Sequence, residues 1–226
     1  MPTNAGVARP LASSLRAVFE RASLPDMRVR VEAQAAIFAT GDEDESLYLI
    51  ESGQVKLSMA SAAGKDCLLA IYTSGELFGE SCFHGAAKRI ETATAMQPTI
   101  VRRMSRKDFL DEVEKARATE ALLRHLARRM IERQAAVFDL VTMPSERRLA
   151  KALLGVAEKL GTVEGVYLRL DQKISHEELS QIVGTTRPRI TAFMQRFRQL
   201  GLIETAGRAV SVHRARTREF IGKDET

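Results

Sequence analysis

Near the carboxyl end, Thr185, Thr186, Arg187 and Arg189 gather two hydroxyls and two guanidinium groups within five residues. An arginine fork matches the O6 and N7 acceptors of guanine, and a bidentate pair of that kind discriminates by roughly 1–3 kcal/mol. Hydroxyls and further arginines suit phosphate oxygens, which position a protein without specifying a sequence. Arg187 and Arg189 are therefore expected to read base edges. Thr185, Thr186, Arg196 and Arg198 are expected to touch phosphates, with His176 as a further phosphate contact.

Such groups act only if a rigid element presents them. Ser175 followed by Glu178 forms a capping-box pattern at the head of one short helix, with Leu179 and Ile182 on its apolar face. Gly184 ends that helix. Thr185-Thr186 then caps a second helix, Arg187 to Leu200, which turns Ile190, Phe193, Met194 and Phe197 inward and ends at Gly201. Pro188 falls in the first turn, where a missing N–H is tolerated. Two helices joined by a tight glycine turn make a helix-turn-helix, whose second helix lies in the DNA major groove. Leu202–Glu204 and Ala209–Val212, around Gly207, read as a β-hairpin wing.

Charge follows the same division. The net charge is +5; residues 144–226 carry 15 basic and 10 acidic residues, while residues 1–143 are balanced at 19 and 19. From Arg187 to Arg218 there are eight arginines and one acid, Glu204. Charge alone would suit a solvated basic face, but beside a helix-turn-helix it is an electrostatic footprint for duplex DNA. At 226 residues the chain can bury a core without disulfides. Two cysteines exclude a disulfide scaffold and a four-cysteine iron–sulfur site within one chain. No apolar run nears the ~20 residues that span a bilayer, and Met1 to Phe19 lacks a signal-type apolar segment, so the expected compartment is a reducing cytoplasm with no membrane partner.

Upstream, Leu11 to Arg21 has helical spacing. From Val29 to Met104, short apolar runs such as Leu47-Tyr48-Leu49-Ile50 and Val55–Met59 alternate with turn signals such as Glu51-Ser52-Gly53 and Ala63-Gly64-Lys65-Asp66, the pattern of an antiparallel roll. Ser105 is expected to cap a helix carrying Phe109, Leu110 and Val113. A longer helix, Thr119 to Val141, spaces Leu123, Leu126, Met130, Arg133, Val137 and Leu140 by alternating threes and fours, a seam about three heptads long suited to a parallel homodimer. Thr142-Met143-Pro144 reads as a hinge, and Ser145 as the cap of the next helix, Glu146 to Leu160. The expected fold class is α+β: residues 1–115 form an antiparallel β-roll with flanking helices. Residues 116–143 form a dimerisation helix and hinge, and residues 144–226 a winged helix-turn-helix.

With these elements in order, the chain resembles the Crp/Fnr family of bacterial transcription regulators over about Arg28 to Val212. The anchors are Gly41-Asp42 with Leu47–Gly53, Gly75–Glu80 and Ile182–Arg187. The resemblance implies a cyclic-nucleotide-binding-type roll, a homodimer on a two-fold-symmetric DNA site, and RNA polymerase as a further candidate partner. In cyclic-AMP-binding members a Gly-Glu pair and an Arg followed by Ser or Thr hold the ribose and cyclic phosphate. Here Gly79, Glu80 and Arg89 match that cassette, with Ser81 expected beside them in the effector pocket, but Ile90 stands where the hydroxyl belongs. Arg133 and Gln134 stand where two adenine-contacting polar residues lie on the dimer helix. Three readings are open: an unidentified effector, anionic and held by Arg89 and Arg133; cyclic AMP in a changed pose; or a self-filled pocket in which Glu80 and Arg89 form a structural ion pair. The recognition helix has Pro188 and Ala192 where cyclic-AMP-binding members have Glu and Arg, so their operator does not transfer.

No cofactor and no metal is expected. Cys82-Phe83-His84 offers one thiol and one imidazole, too few for a tetrahedral site. The Cys-x-His element of haem-binding family members falls at Gly79–Ser81 instead, which argues against haem. Cys82 is open as a redox thiol. The chain has no Walker loop, no Gly-x-Ser-x-Gly and no His-Glu-x-x-His, and an enzyme is not expected. The competing class is a roll that binds another protein and has no DNA role.

Overall fold

The computed structural model describes residues 13–22, 28–61, 66–85, 88–171, 174–207 and 209–222. They fall into two compact units, one up to Met130 and the other from Ile131 onward. This division lies inside the long helix, whereas the sequence places a boundary at the Thr142–Pro144 hinge. The Gly64 turn and the Leu11 start of the first helix lie outside the described residues.

The first unit opens with α1 (Ser13–Arg21) and continues through β1 (Arg28–Val31), β2 (Ala36–Phe38), β3 (Ser46–Ser52), β4 (Gln54–Ala60), β5 (Asp66–Thr73) and β6 (Leu77–Phe78). A 3₁₀ turn, Glu80–His84, precedes β7 (Thr92–Ala95) and β8 (Thr99–Ser105), and then come α2 (Arg106–Lys115) and α3 (Thr119–Thr142). The strands form two antiparallel four-stranded sheets, ordered β1-β8-β3-β6 and β2-β7-β4-β5. Their shared core holds Phe38, Tyr48, Ile50, Val55, Leu57, Tyr72, Phe78, Ala93 and Val101. The opposite face of the first sheet, with Leu47, Leu49 and Met104, is covered by Leu15, Phe19, Phe109, Val113 and Leu122 of α1, α2 and α3. β3 is thus buried on both faces, which is why it reads as an unbroken apolar run. Ser105 caps α2 as expected, accepting from the Asp108 amide.

In the second unit, α4 (Ser145–Leu160) leads into β9 (Thr162–Glu164) and β10 (Tyr167–Leu170). Then follow α5 (His176–Val183), α6 (Arg187–Gln199), β11 (Ile203–Ala206), β12 (Ala209–His213) and α7 (Arg214–Gly222). The sheet order is β11-β12-β10-β9. The wing hairpin is present, with Ile203 opposite Val212 and Ala206 opposite Ala209. Residues 162–164 form a strand paired to β10. One element differs from the sequence reading: Ser145 is the first residue of α4, while Pro144 takes the cap position. The helix α7 carries no strong apolar stripe, and the sequence reading passed over it.

Candidate nucleic-acid interface and the N-terminal site

The head of α6 is built as the sequence implies. The capping box of α5 is complete, with Ser175 Oγ accepting from Glu178 N–H and the Glu178 carboxylate accepting from the Ser175 amide. Gly184 then adopts φ 67°, a left-handed conformation that glycine enters without penalty, so the chain can turn from α5 into α6. Ile190, Met194 and Phe197 are buried in the core of the unit with Leu149, Leu153, Leu179 and Val183. Burial of that stripe leaves Thr186, Arg187, Arg189, Arg196 and Arg198 exposed, and Thr185 partly exposed. The Arg189 guanidinium carbon lies 5.7 Å from the Phe193 ring centroid, which supports its stem.

Two expected phosphate contacts have internal partners. Arg196 Nη1 donates to Glu146 Oε2 at 3.1 Å. His176 Nδ1 lies 3.0 Å from Thr191 Oγ1, linking the starts of α5 and α6. Thr186 occupies the N-cap position of α6, but its side chain makes no capping hydrogen bond. No acid stands in the first turn of α6, so the positive end of the helix is uncompensated within it.

The N-terminal site forms around the 3₁₀ turn. Gly79 has φ 90°, and a Cβ there would lie 2.9 Å from the Ser46 carbonyl oxygen, so only glycine fits. Arg89 is buried. Its Nε and Nη2 donate to Asp44 Oδ2 at 3.0 and 2.7 Å, and its Nη1 donates to the Gly79 carbonyl at 2.8 Å and to Ser81 Oγ at 3.2 Å. Its Nη2 also donates to the Ser46 carbonyl. The guanidinium carbon lies 4.1 Å from the Phe38 ring centroid. Asp44 accepts further from Tyr48 Oη at 2.9 Å and from Arg103 Nη2 at 3.1 Å. Burial pushes the Asp44 carboxyl up, but the hydrogen bonds and charge of Arg89 and its neighbours outweigh it and hold the group below its ordinary value.

Glu80 has separate partners. Its Oε1 accepts from His125 Nε2 at 2.8 Å and from Arg129 Nε at 3.1 Å, both on α3. An ionised carboxylate only accepts, so the proton of this contact sits on His125 Nε2. Arg129 also donates to the Leu77 carbonyl at 2.8 Å and lies over Tyr72, 4.6 Å from the ring centroid. Burial opposes ionisation of Glu80, yet His125 and Arg129 together hold its carboxyl below the ordinary value. Glu80 and Arg89 do not pair with each other: Arg89 takes Asp44, and Glu80 takes His125 and Arg129. Ile90 is exposed, and Arg133 and Gln134 are exposed on α3 beyond Met130, in the second unit.

Cys82 is buried in the apolar layer between the first sheet and its helices, and burial pushes its thiol up to about 11. That environment withholds the thiolate a redox sensor needs. Among the described residues, no group of three His, Cys, Asp or Glu is placed to hold a metal, and no helix is long and apolar enough to cross a membrane.

The expected seam residues of α3 differ in exposure. Leu123, Met130, Val137 and Leu140 are exposed, but Leu126 packs partly against the core of its own unit. Ile131, Phe138 and Val141, which the seven-residue pattern left out, are exposed at 61%, 67% and 79%. The signal was present in the spacing of Ile131 and Phe138, seven apart, and of Val137 and Val141, four apart.

Comparison with known proteins bears on both units. Residues 28–116 match the cyclic nucleotide-binding domain model, and residues 147–216 match the Crp-like helix-turn-helix domain model. The CRP-like cAMP-activated global transcriptional regulator of Mycobacterium tuberculosis is 31% identical over 177 residues, 78% of this chain and 79% of that protein. This chain belongs to the Crp/Fnr family of transcription regulators. The cyclic AMP receptor protein of Thermus thermophilus is 28% identical over 82% of this chain and 83% of its own length. A solved CRP-family transcriptional regulator from the same organism superposes with a TM-score of 0.72 at 28% identity, covering 86% of this chain and 97% of the other.

As a Crp/Fnr protein the chain is a DNA-binding transcriptional regulator with a cyclic nucleotide-binding-type domain. The residues of its cassette do not fit a cyclic phosphate as they stand. A guanidinium has five N–H donors, and each of those on Arg89 already has an acceptor in the protein.

Proposed function

We propose that the regulator acts as a cytoplasmic homodimer that binds a two-fold-symmetric operator, with Arg187 and Arg189 reading base edges in the major groove. The observation that carries this is the division of α6: Ile190, Met194 and Phe197 are buried, and both arginines stand exposed at its open N-terminus. A recognition helix reads with its N-terminal residues, so these positions face the bases. Thr185, Thr186 and Arg198 contact phosphates. Arg196 and His176 support that contact from positions already anchored to Glu146 and Thr191. Two copies joined along α3 set half-sites about one helical turn apart, and the symmetry of the operator matches that of the dimer. Exposed apolar side chains along α3 support the joining. RNA polymerase is the further partner that such a role implies, and no catalytic step is assigned.

Binding of the purified chain to genomic DNA fragments, selected over several rounds and then titrated with salt, tests this reading. A selected palindromic motif is expected, with log affinity falling linearly in log salt at a slope near −0.9 for each phosphate neutralised. Recovery of no motif, or a salt-independent affinity, would refute it.

A further inference from the structure

We propose that Asp44 is a built-in anion for Arg89, so that the roll takes no cyclic phosphate where its family implies one. The proposal rests on the family reading only for the location of the site.

Three observations meet at Arg89. Its five donors are consumed by Asp44, the Gly79 and Ser46 carbonyls and Ser81. Its face lies over Phe38. Its side chain is 1% exposed and that of Asp44 10%, so neither charge is left to solvent. A phosphate entering here would bring a second anion to a guanidinium that already holds one. Like charges in a shared buried site disfavour joint ionisation, so either Asp44 must leave or the phosphate is refused.

Leaving is opposed by what holds Asp44. Its carboxylate accepts from Tyr48, Arg103 and the Ser46 amide as well as from Arg89. The turn that carries it is closed by Asp42, which accepts from the Ala39 amide at 2.8 Å. The same turn is bonded to the arginine's backbone, with Gly41 N–H donating to the Arg89 carbonyl and Arg89 N–H to that of Asp42. Arginine and carboxylate are thus fastened to one another through main chain and side chain together. The ribose-type acceptor is engaged as well, since Glu80 is held by His125 and Arg129. DNA binding by this regulator is therefore independent of cyclic nucleotide.

Thermal melting of the full chain with cyclic AMP, cyclic GMP or inorganic phosphate tests the proposal in the wild type, Asp44→Ala and Asp44→Asn. The wild type is expected to melt at the same temperature with and without millimolar ligand. Removing the carboxylate leaves the buried Arg89 charge without its counter-ion, which is expected to lower the melting point by on the order of 10 °C. Part of that loss is expected to return when any of the three anions is added. A nucleotide-dependent rise in the wild type would overturn the proposal. So would a variant that melts like the wild type, or variants that fold yet gain nothing from anions. Should neither variant fold, the wild-type titration decides alone. Gel shifts on the same preparations report DNA binding separately. Loss of DNA binding with a nucleotide-silent roll would strike the function and leave Asp44 in its role.

Discussion

Arg148 Nε donates to the Val183 carbonyl at 3.0 Å, which ties α4 to the last residue of α5. The same guanidinium donates through Nη1 to the carbonyls of Leu140 at 3.2 Å and Met143 at 2.6 Å. One side chain therefore gathers the carbonyl ends of two helices, where a cation is favoured. Lys151 Nζ adds a contact to Asp139 Oδ2 at 2.5 Å. Arg148→Ala is expected to destabilise the second unit by roughly 1.5–3 kcal/mol, the range for hydrogen bonds to a charged group. Hydrogen exchange at residues 140–144 and 183–185 should accelerate. Arg148→Lys should recover little, because an ammonium cannot span three carbonyls in a fork. Unchanged exchange in the alanine variant would remove Arg148 from this role.

The arginines at the head of α6 should separate by role when measured on a selected site. Arg187→Ala and Arg189→Ala are each expected to cost about 1–3 kcal/mol and to relax preference at particular base pairs. Arg198→Ala should weaken binding evenly across sequences and reduce the salt slope by about one. Fluorescence anisotropy on the site and on single-base variants distinguishes the two patterns.

The apolar residues of α3 make opposite predictions on its two sides. Phe138→Glu and Val141→Glu should shift the sedimentation of the protein toward the monomer while leaving the melting of the roll unchanged. Leu126→Ala should do the reverse, because Leu126 is partly buried against Leu122 and its cluster. The cost of that change is expected below the roughly 2–5 kcal/mol of a fully buried leucine. If Leu126→Ala dissociates the dimer and Phe138→Glu does not, the seam follows the heptad read from the sequence.

Acid should loosen the roll through Glu80. Its carboxyl is held below the ordinary value of 4.5, chiefly by His125 and Arg129 acting against burial. A depressed folded-state value means that the unfolded chain binds the proton more readily. The stabilisation is then present at neutral pH and is lost as pH falls below about 4.5 toward the lower folded-state value. Glu80→Gln should melt lower than the wild type at pH 7, with the gap narrowing as acid is added. A gap that stays constant down to pH 3 would show that Glu80 is not the group responsible.

Much of the molecule was legible because its signals are local. The capping residues Ser105 and Ser175 satisfy amides three residues away, so their spacing alone marks a helix start. The turn at Gly184 and the stripe Ile190, Met194 and Phe197 are likewise short-range patterns. Other features had weak or ambiguous local signals. β1, with two of its four residues arginine, and the two-residue β6 were missed. Leu47 to Ile50 gave no indication that alternate residues enter different cores.

The amino-acid order by itself determined the class of the protein: a roll, a long helix and an arginine-headed helix-turn-helix, each encoded by hydrogen bonding and apolar periodicity within a few residues. The tertiary structure decided the partners. Arg89 takes Asp44, 45 residues away, rather than the nearer Glu80, and Glu80 takes His125, also 45 residues away. Likewise, α3 turns Leu126 inward and Ile131 and Phe138 outward. Charge pairing and helix rotation are settled by which buried groups come within hydrogen-bond reach after the sheets close, and periodicity carries no information about that distance.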